Sequence, residues 1–152
     1  MNSLARCLVA VAIIVLHPCQ VRAQAHQQEF GRYLLYSKVM TSSPVPQAGS
    51  GAERGIPRTG NHGVLTVTVM EKGPSLRSVP AKVRAYAIGV AGLKRPIDMR
   101  ETKAGDWVSY RGKFSFAPRE VLRFEIVAEP EGSGETLDMR YRERLEADRQ
   151  AP

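Results

Sequence analysis

Between residues 33 and 145, apolar and polar side chains alternate with a period of two, and turn residues break the runs every eight to twelve positions. A period of two sends successive side chains to opposite faces of a strand. Short strands at this spacing predict an all-β sandwich or barrel. Seven strands are expected. The first spans 33–40. The second spans 63–71, with Val64, Thr66, Thr68 and Met70 opposite Leu65, Val67 and Val69. In 82–88, the small residues Val83, Ala85 and Ala87 oppose Lys82, Arg84 and Tyr86. The fourth strand, 93–101, contains Pro96, which has no N–H to donate and so belongs at a sheet edge. In 106–116, Val108, Tyr110, Phe114 and Phe116 share a face interrupted by Gly112. The clearest alternation lies in 121–129, where Leu122, Phe124, Ile126 and Ala128 point inward and Arg123, Glu125 and Glu129 outward. In 136–145, Leu137, Met139 and Tyr141 face in while Arg140, Arg142 and Arg144 face out. The fold class that follows is an immunoglobulin-like antiparallel β-sandwich of about seven strands. A small barrel is the alternative. The Cys…Trp…Cys hallmark of antibody domains is missing, so the expectation concerns architecture only.

The N-terminal 25 residues follow a different pattern. Arg6 precedes an apolar run from Cys7 to Leu16, and a polar stretch ends in Ala23-Gln24-Ala25. This is the layout of a cleaved signal peptide. The run is about half of the ~20 residues that cross a bilayer, so no permanent span is expected. The expected organisation is a signal peptide at 1–25, one sandwich domain at 26–145 and a flexible tail at 146–152, in the periplasm or secreted. Both cysteines, Cys7 and Cys19, would leave with the leader. A mature domain without thiols has no disulfide and no thiolate chemistry. His17 and Pro18 fit poorly before a lipidated cysteine. Losing Arg6 and Arg22 leaves 20 basic and 15 acidic side chains, so the net charge falls from +7 to +5. That is modest, and a nucleic-acid partner is not expected. The segment 41–62, rich in Gly, Pro and Ser, reads as a long surface excursion between the first two strands.

Candidate chemistry is sparse. After cleavage, His26 stands at the new N-terminus and His62 in the long loop, which makes a poor metal site. Met40, Met70, Met99 and Met139 lie singly on different strands and read as core filler rather than copper ligands. No metal and no cofactor is expected. Gly132-Ser133-Gly134 is too short for a nucleophile elbow. The stretch from Gly49 to Gly55 spaces its glycines wrongly for a phosphate loop. No catalytic residues are assigned. A small hydrolase or isomerase would need Asp98, Arg100 and Glu101 to converge in one concavity. Two features suit recognition instead. Arg140, Arg142 and Arg144 share one face of the last strand, with Glu125 and Glu129 expected across from them and Lys82 and Arg84 on the other flank, either as a cross-strand charge ladder or as an anion-binding face. Trp107 opens the fifth strand near a turn, where an exposed indole can anchor a partner.

Several motifs recur together: Phe30-Gly31-Arg32-Tyr33, Gly55-Ile56-Pro57-Arg58-Thr59, Asn61-His62-Gly63-Val64-Leu65-Thr66-Val67, Asp98-Met99-Arg100-Glu101 and Phe114-Ser115-Phe116-Ala117-Pro118-Arg119-Glu120 with Leu122-Arg123-Phe124-Glu125-Ile126. Their order over about residues 29 to 145 resembles a family of small exported bacterial proteins catalogued as a domain of unknown function, often encoded near homoserine acetyltransferase. The resemblance implies an immunoglobulin-like sandwich in the periplasm and supplies neither catalytic residues nor a ligand. Relatives carry a helix-prone segment before the Gly-Ile-x-Arg motif, where this chain has the flexible residues 46–51. Arg58 and Asn61 are the polar groups of that motif and join the candidate recognition set. The expected function is that of an exported, non-catalytic binding or accessory domain contacting an envelope protein, a glycan or a lipid surface. A structural envelope component is a further alternative.

Overall fold

The computed structural model describes residues 25–42 and 61–146. Among these, ten strands form: β1 (Ala25–Phe30), β2 (Tyr33–Ser42), β3 (Asn61–Glu71), β4 (Arg77–Ser78), β5 (Ala81–Ile88), β6 (Lys94–Ile97), β7 (Arg100–Ala104), β8 (Trp107–Phe116), β9 (Val121–Pro130) and β10 (Leu137–Arg144). They make two antiparallel sheets. One has the order β1-β2-β3-β8-β7, with β4 added beside β3; the other has the order β10-β9-β5-β6.

The alternation read from the sequence sets the packing. Leu35, Leu65, Val67 and Val69 project from the larger sheet, and Leu122, Phe124, Ile126 and Leu137 from the smaller one, all essentially sealed from solvent. Each such side chain contributes ~1.5–3 kcal/mol of transfer free energy. Phe124 lies at the centre, edge-on to Phe114 at 5.3 Å between ring centroids and tilted against Tyr141 at 5.4 Å. Tyr110 ties the sheets together: its phenol oxygen on β8 accepts the Ala81 N–H at the start of β5, at 2.8 Å.

The structure corrects four expectations. The single strand expected at 93–101 is two. β6 runs beside β5 in the smaller sheet and β7 beside β8 in the larger one, so the chain changes sheets at Asp98 and Met99. Gly112 permits that crossing. A Cβ there would lie 2.4 Å from Ile97 Cγ2 and 2.9 Å from the Asp98 carbonyl oxygen. Second, the two-residue β4 and all of β1 were not anticipated; Ala25-His26-Gln27-Gln28-Glu29-Phe30 does not alternate, yet β1 pairs with β2 along its whole length. Third, the 41–62 excursion is shorter at both ends, since Ser42 pairs with His62 and Thr41 with Gly63. Fourth, Met40 is exposed and does not fill the core, whereas Met70 and Met139 are buried. The expected leader apart from Ala25, the loop residues 43–60 with 46–51, and the tail beyond 146 lie outside the described residues.

Candidate functional site

Each sheet ends on an unshared strand at the same side of the sandwich: β1 in the larger sheet and β10 in the smaller. Between them lies a polar seam. The alternation that turns Leu137, Met139 and Tyr141 inward on β10 also turns Glu143 inward, ahead of the buried Leu145. On β2, Ser37 lies between Leu35 and Val39 on the inward face and is fully buried. On β1, His26 pairs across the backbone with Ser37.

These four side chains meet. The His26 ring stacks on Tyr141 at 3.8 Å between centroids, 19° from parallel. The Tyr141 hydroxyl and Ser37 Oγ share a hydrogen bond of 2.7 Å. His26 Nε2 stands 3.7 Å from Glu143 Oε2, beyond hydrogen-bond distance. Both of those atoms are buried and have no hydrogen-bond partner. Burial sets the electrostatics. It pushes the Glu143 carboxyl up to about 7 and lowers the His26 imidazole. It also raises the Tyr141 phenol far above the usual tyrosine range, against the opposing effect of the Ser37 hydrogen bond. At neutral pH the seam therefore holds an uncharged imidazole beside a carboxyl poised to lose its proton.

The residues singled out from the sequence are placed elsewhere. Asn61 is the half-buried first residue of β3, opposite Phe116. Arg58 lies outside the described residues. Trp107 is exposed at the start of β8, paired with Ala104 across the hairpin. Arg140, Arg142 and Arg144 do share the outer face of β10. Their expected neighbours are only partly right. Arg140 pairs with Glu125 across β9 and is held by Asp138 at 2.8 Å. Glu129 instead meets Arg84 on β5, at 2.6 Å. Lys82 and Arg84 do not flank the arginine row, because β10 is the sheet edge and β5 lies beyond β9. Arg142 is opposite Arg123, and the two line a depression of about 300 Å³ with Ile88, Gly89, Val90, Gly92 and Val121. Asp98, Arg100 and Glu101 do not converge: Asp98 and Arg100 pair in solvent, while Glu101 is taken by Lys103 and the Tyr110 hydroxyl.

A family profile for a domain of unknown function, DUF4426, matches residues 27–148. The chain belongs to the DUF4426 family. No curated protein matches it. Among solved structures it is similar to a DUF4426 family protein of Pseudomonas aeruginosa, at 23% identity and a TM-score of 0.63, over 82% of this chain and 99% of that one. It is also similar to FetP of uropathogenic Escherichia coli strain F11, at 10% identity and a TM-score of 0.57, over 83% of this chain and 99% of that one. A copper-bound FetP variant gives 10% identity and a TM-score of 0.55, covering 78% of this chain and 93% of that one. At these identities the likeness is one of fold.

In this DUF4426 chain, sequence reasoning set His26 aside as a poor metal ligand, placed Tyr141 inward without a role, and did not single out Ser37 or Glu143. His26 read as the loose end of a mature chain, whereas it lies in a paired strand with its side chain about one-third exposed. The signal for Glu143 was present: it is the one charged side chain at an inward position of β10. A buried carboxyl without a partner is costly unless something compensates it. Chemically, the seam offers one imidazole nitrogen and one carboxylate oxygen across a short gap. A hydroxyl pair and an aromatic ring fix their orientation.

Proposed function

We propose that this chain is an exported, non-catalytic binding domain that works at the β1–β10 seam. The observation that carries the reading is the pair His26 Nε2 and Glu143 Oε2, the buried side-chain polar atoms that lack a hydrogen-bond partner among the described residues. Groups of that kind call for compensation, and a bound ion or ligand is one way to supply it. The leader pattern ending at Ala25 supports export, and cleavage there would begin the mature chain at His26. The similar sandwich of FetP, made in the periplasm and bound to copper in one variant, supports an accessory binding role for such a scaffold.

The reading is tested in cells. Fractionation with mass spectrometry of the purified chain should find it outside the cytoplasm, starting near His26. A deletion strain screened for envelope stress should be rescued by the wild-type chain and not by Glu143→Gln. Equal rescue by both would move the function away from the seam. A chain retained in the cytoplasm would remove export.

A further inference from the structure

Resting on the seam as the binding site, we propose that His26 Nε2 and the Glu143 carboxylate together bind one borderline d-block cation, Cu(II) or Zn(II). The two atoms are 3.7 Å apart. That gap is too long for a hydrogen bond and too short for a bridging water, which needs ~2.8 Å to each partner. It suits an ion. Bonds of ~2.0–2.2 Å to imidazole nitrogen and carboxylate oxygen, opened to roughly 120°, put the donors roughly 3.6 Å apart.

The donor set selects the class. One imidazole with one carboxylate suits Zn(II) and Cu(II), and the absence of sulfur from the pair disfavours Cu(I). Mg²⁺ and Ca²⁺ call for all-oxygen shells that this pair does not supply. The surroundings fit a ligand's needs as well. The Tyr141 ring stacked on the imidazole fixes its plane, and the Ser37 hydroxyl holds Tyr141 in turn. Such outer partners orient first-sphere ligands in metal sites. The Glu143 side chain is 6% exposed and that of His26 32%, so the route to solvent passes the histidine. With only two protein ligands the site exchanges its ion, unlike a permanent structural centre, which takes about four.

The test uses the exported, purified protein, titrated calorimetrically with Zn(II), Cu(II), Mg²⁺ and Ca²⁺, with paramagnetic resonance for Cu(II). One equivalent of Zn(II) or Cu(II) should bind, Cu(II) with a single imidazole nitrogen in its spectrum. Mg²⁺ and Ca²⁺ should not bind. His26→Gln and Glu143→Gln should each weaken binding at least about tenfold. Circular dichroism checks that each variant keeps its β structure, and because the two residues lie on different strands, one variant remains informative where the other misfolds. No binding by the wild type, or binding that survives either substitution in a folded protein, overturns the proposal. Failure of rescue by Glu143→Gln in cells with no metal bound in vitro would keep the seam as the binding site and discard the metal.

Discussion

At the scale of single residues, Tyr110 adds a polar tie between the two sheets to the apolar contacts of the core. Tyr110 is buried, yet its hydroxyl accepts the Ala81 N–H and donates to Glu101 at 3.2 Å. Tyr110→Phe keeps the ring and removes the oxygen, which strands a buried backbone donor. The expected loss is ~1–3 kcal/mol, read as a lower denaturant midpoint with an unchanged slope. The same residue contributes to an alkaline limit, alongside Tyr141. Burial, first of all, raises its pKa, and the Ala81 hydrogen bond only partly opposes this. A phenol whose folded pKa exceeds its unfolded value of about 10 favours the folded state below that pH. That contribution is lost as pH rises toward and through the folded value. Melting temperature should therefore fall above about pH 10, and more shallowly in Tyr110→Phe. An identical alkaline slope in both proteins would exclude Tyr110 as its source. Gly112 gives a second case. Gly112→Ala drives a Cβ against Ile97 and the Asp98 carbonyl, where backbone cannot yield cheaply, and should cost ~1–3 kcal/mol.

At the scale of strands, the sequence was most legible where one face is buried and the other wet. β9 and β10 alternate cleanly, and β8 does so apart from the buried Ser109; their inward apolar residues were read correctly from the sequence, while Glu143 was not. The alternation failed at strands whose faces do not differ. Every side chain of β7 is exposed, so nothing in residues 93–101 marks the change of sheet. β1 is equally wet except at His26 and Phe30, so its pairing and the seam it closes were invisible. Neighbour relations were harder still, because a strand's pattern does not say which strand lies beside it. That is why the arginine row was given the wrong flank. Its true register makes a prediction: Arg142 faces Arg123, a like-charge pair on an exposed surface. Like charges opposite each other destabilise, and opposite ones contribute ~0.2–1 kcal/mol. Arg142→Glu should therefore raise the melting temperature at low salt, with the gain fading at high salt. A loss of stability at low salt would show that the arginine is engaged by something other than its cross-strand neighbour.

At the scale of the molecule, the two sheets differ in how well their strands are held. β3 is flanked by β2 and β8 and also receives β4; β9 is flanked by β10 and β5. Both carry fully buried side chains: Leu65, Val67 and Val69 on one, Leu122, Phe124 and Ile126 on the other. β1, β7, β6 and β10 each have one open edge. Local opening is cheapest where few buried contacts must break, so exchange of backbone amides should be slowest in β3 and β9 and fastest in β7. β10 is the informative strand. It is an edge in its sheet, but Leu137, Met139 and Leu145 are buried and the Leu145 N–H is bonded to the Glu120 carbonyl. Its amides should exchange more slowly than those of β1, which holds the seam from the other side with only His26 and Phe30 partly buried. Adding Zn(II) should then slow exchange in β1 selectively, because an ion held by His26 and Glu143 would fasten the weakly held strand to the firm one. Protection that rises evenly across all strands would mean the ion stabilises the fold from another position. Protection that changes nowhere would mean the seam closes without it.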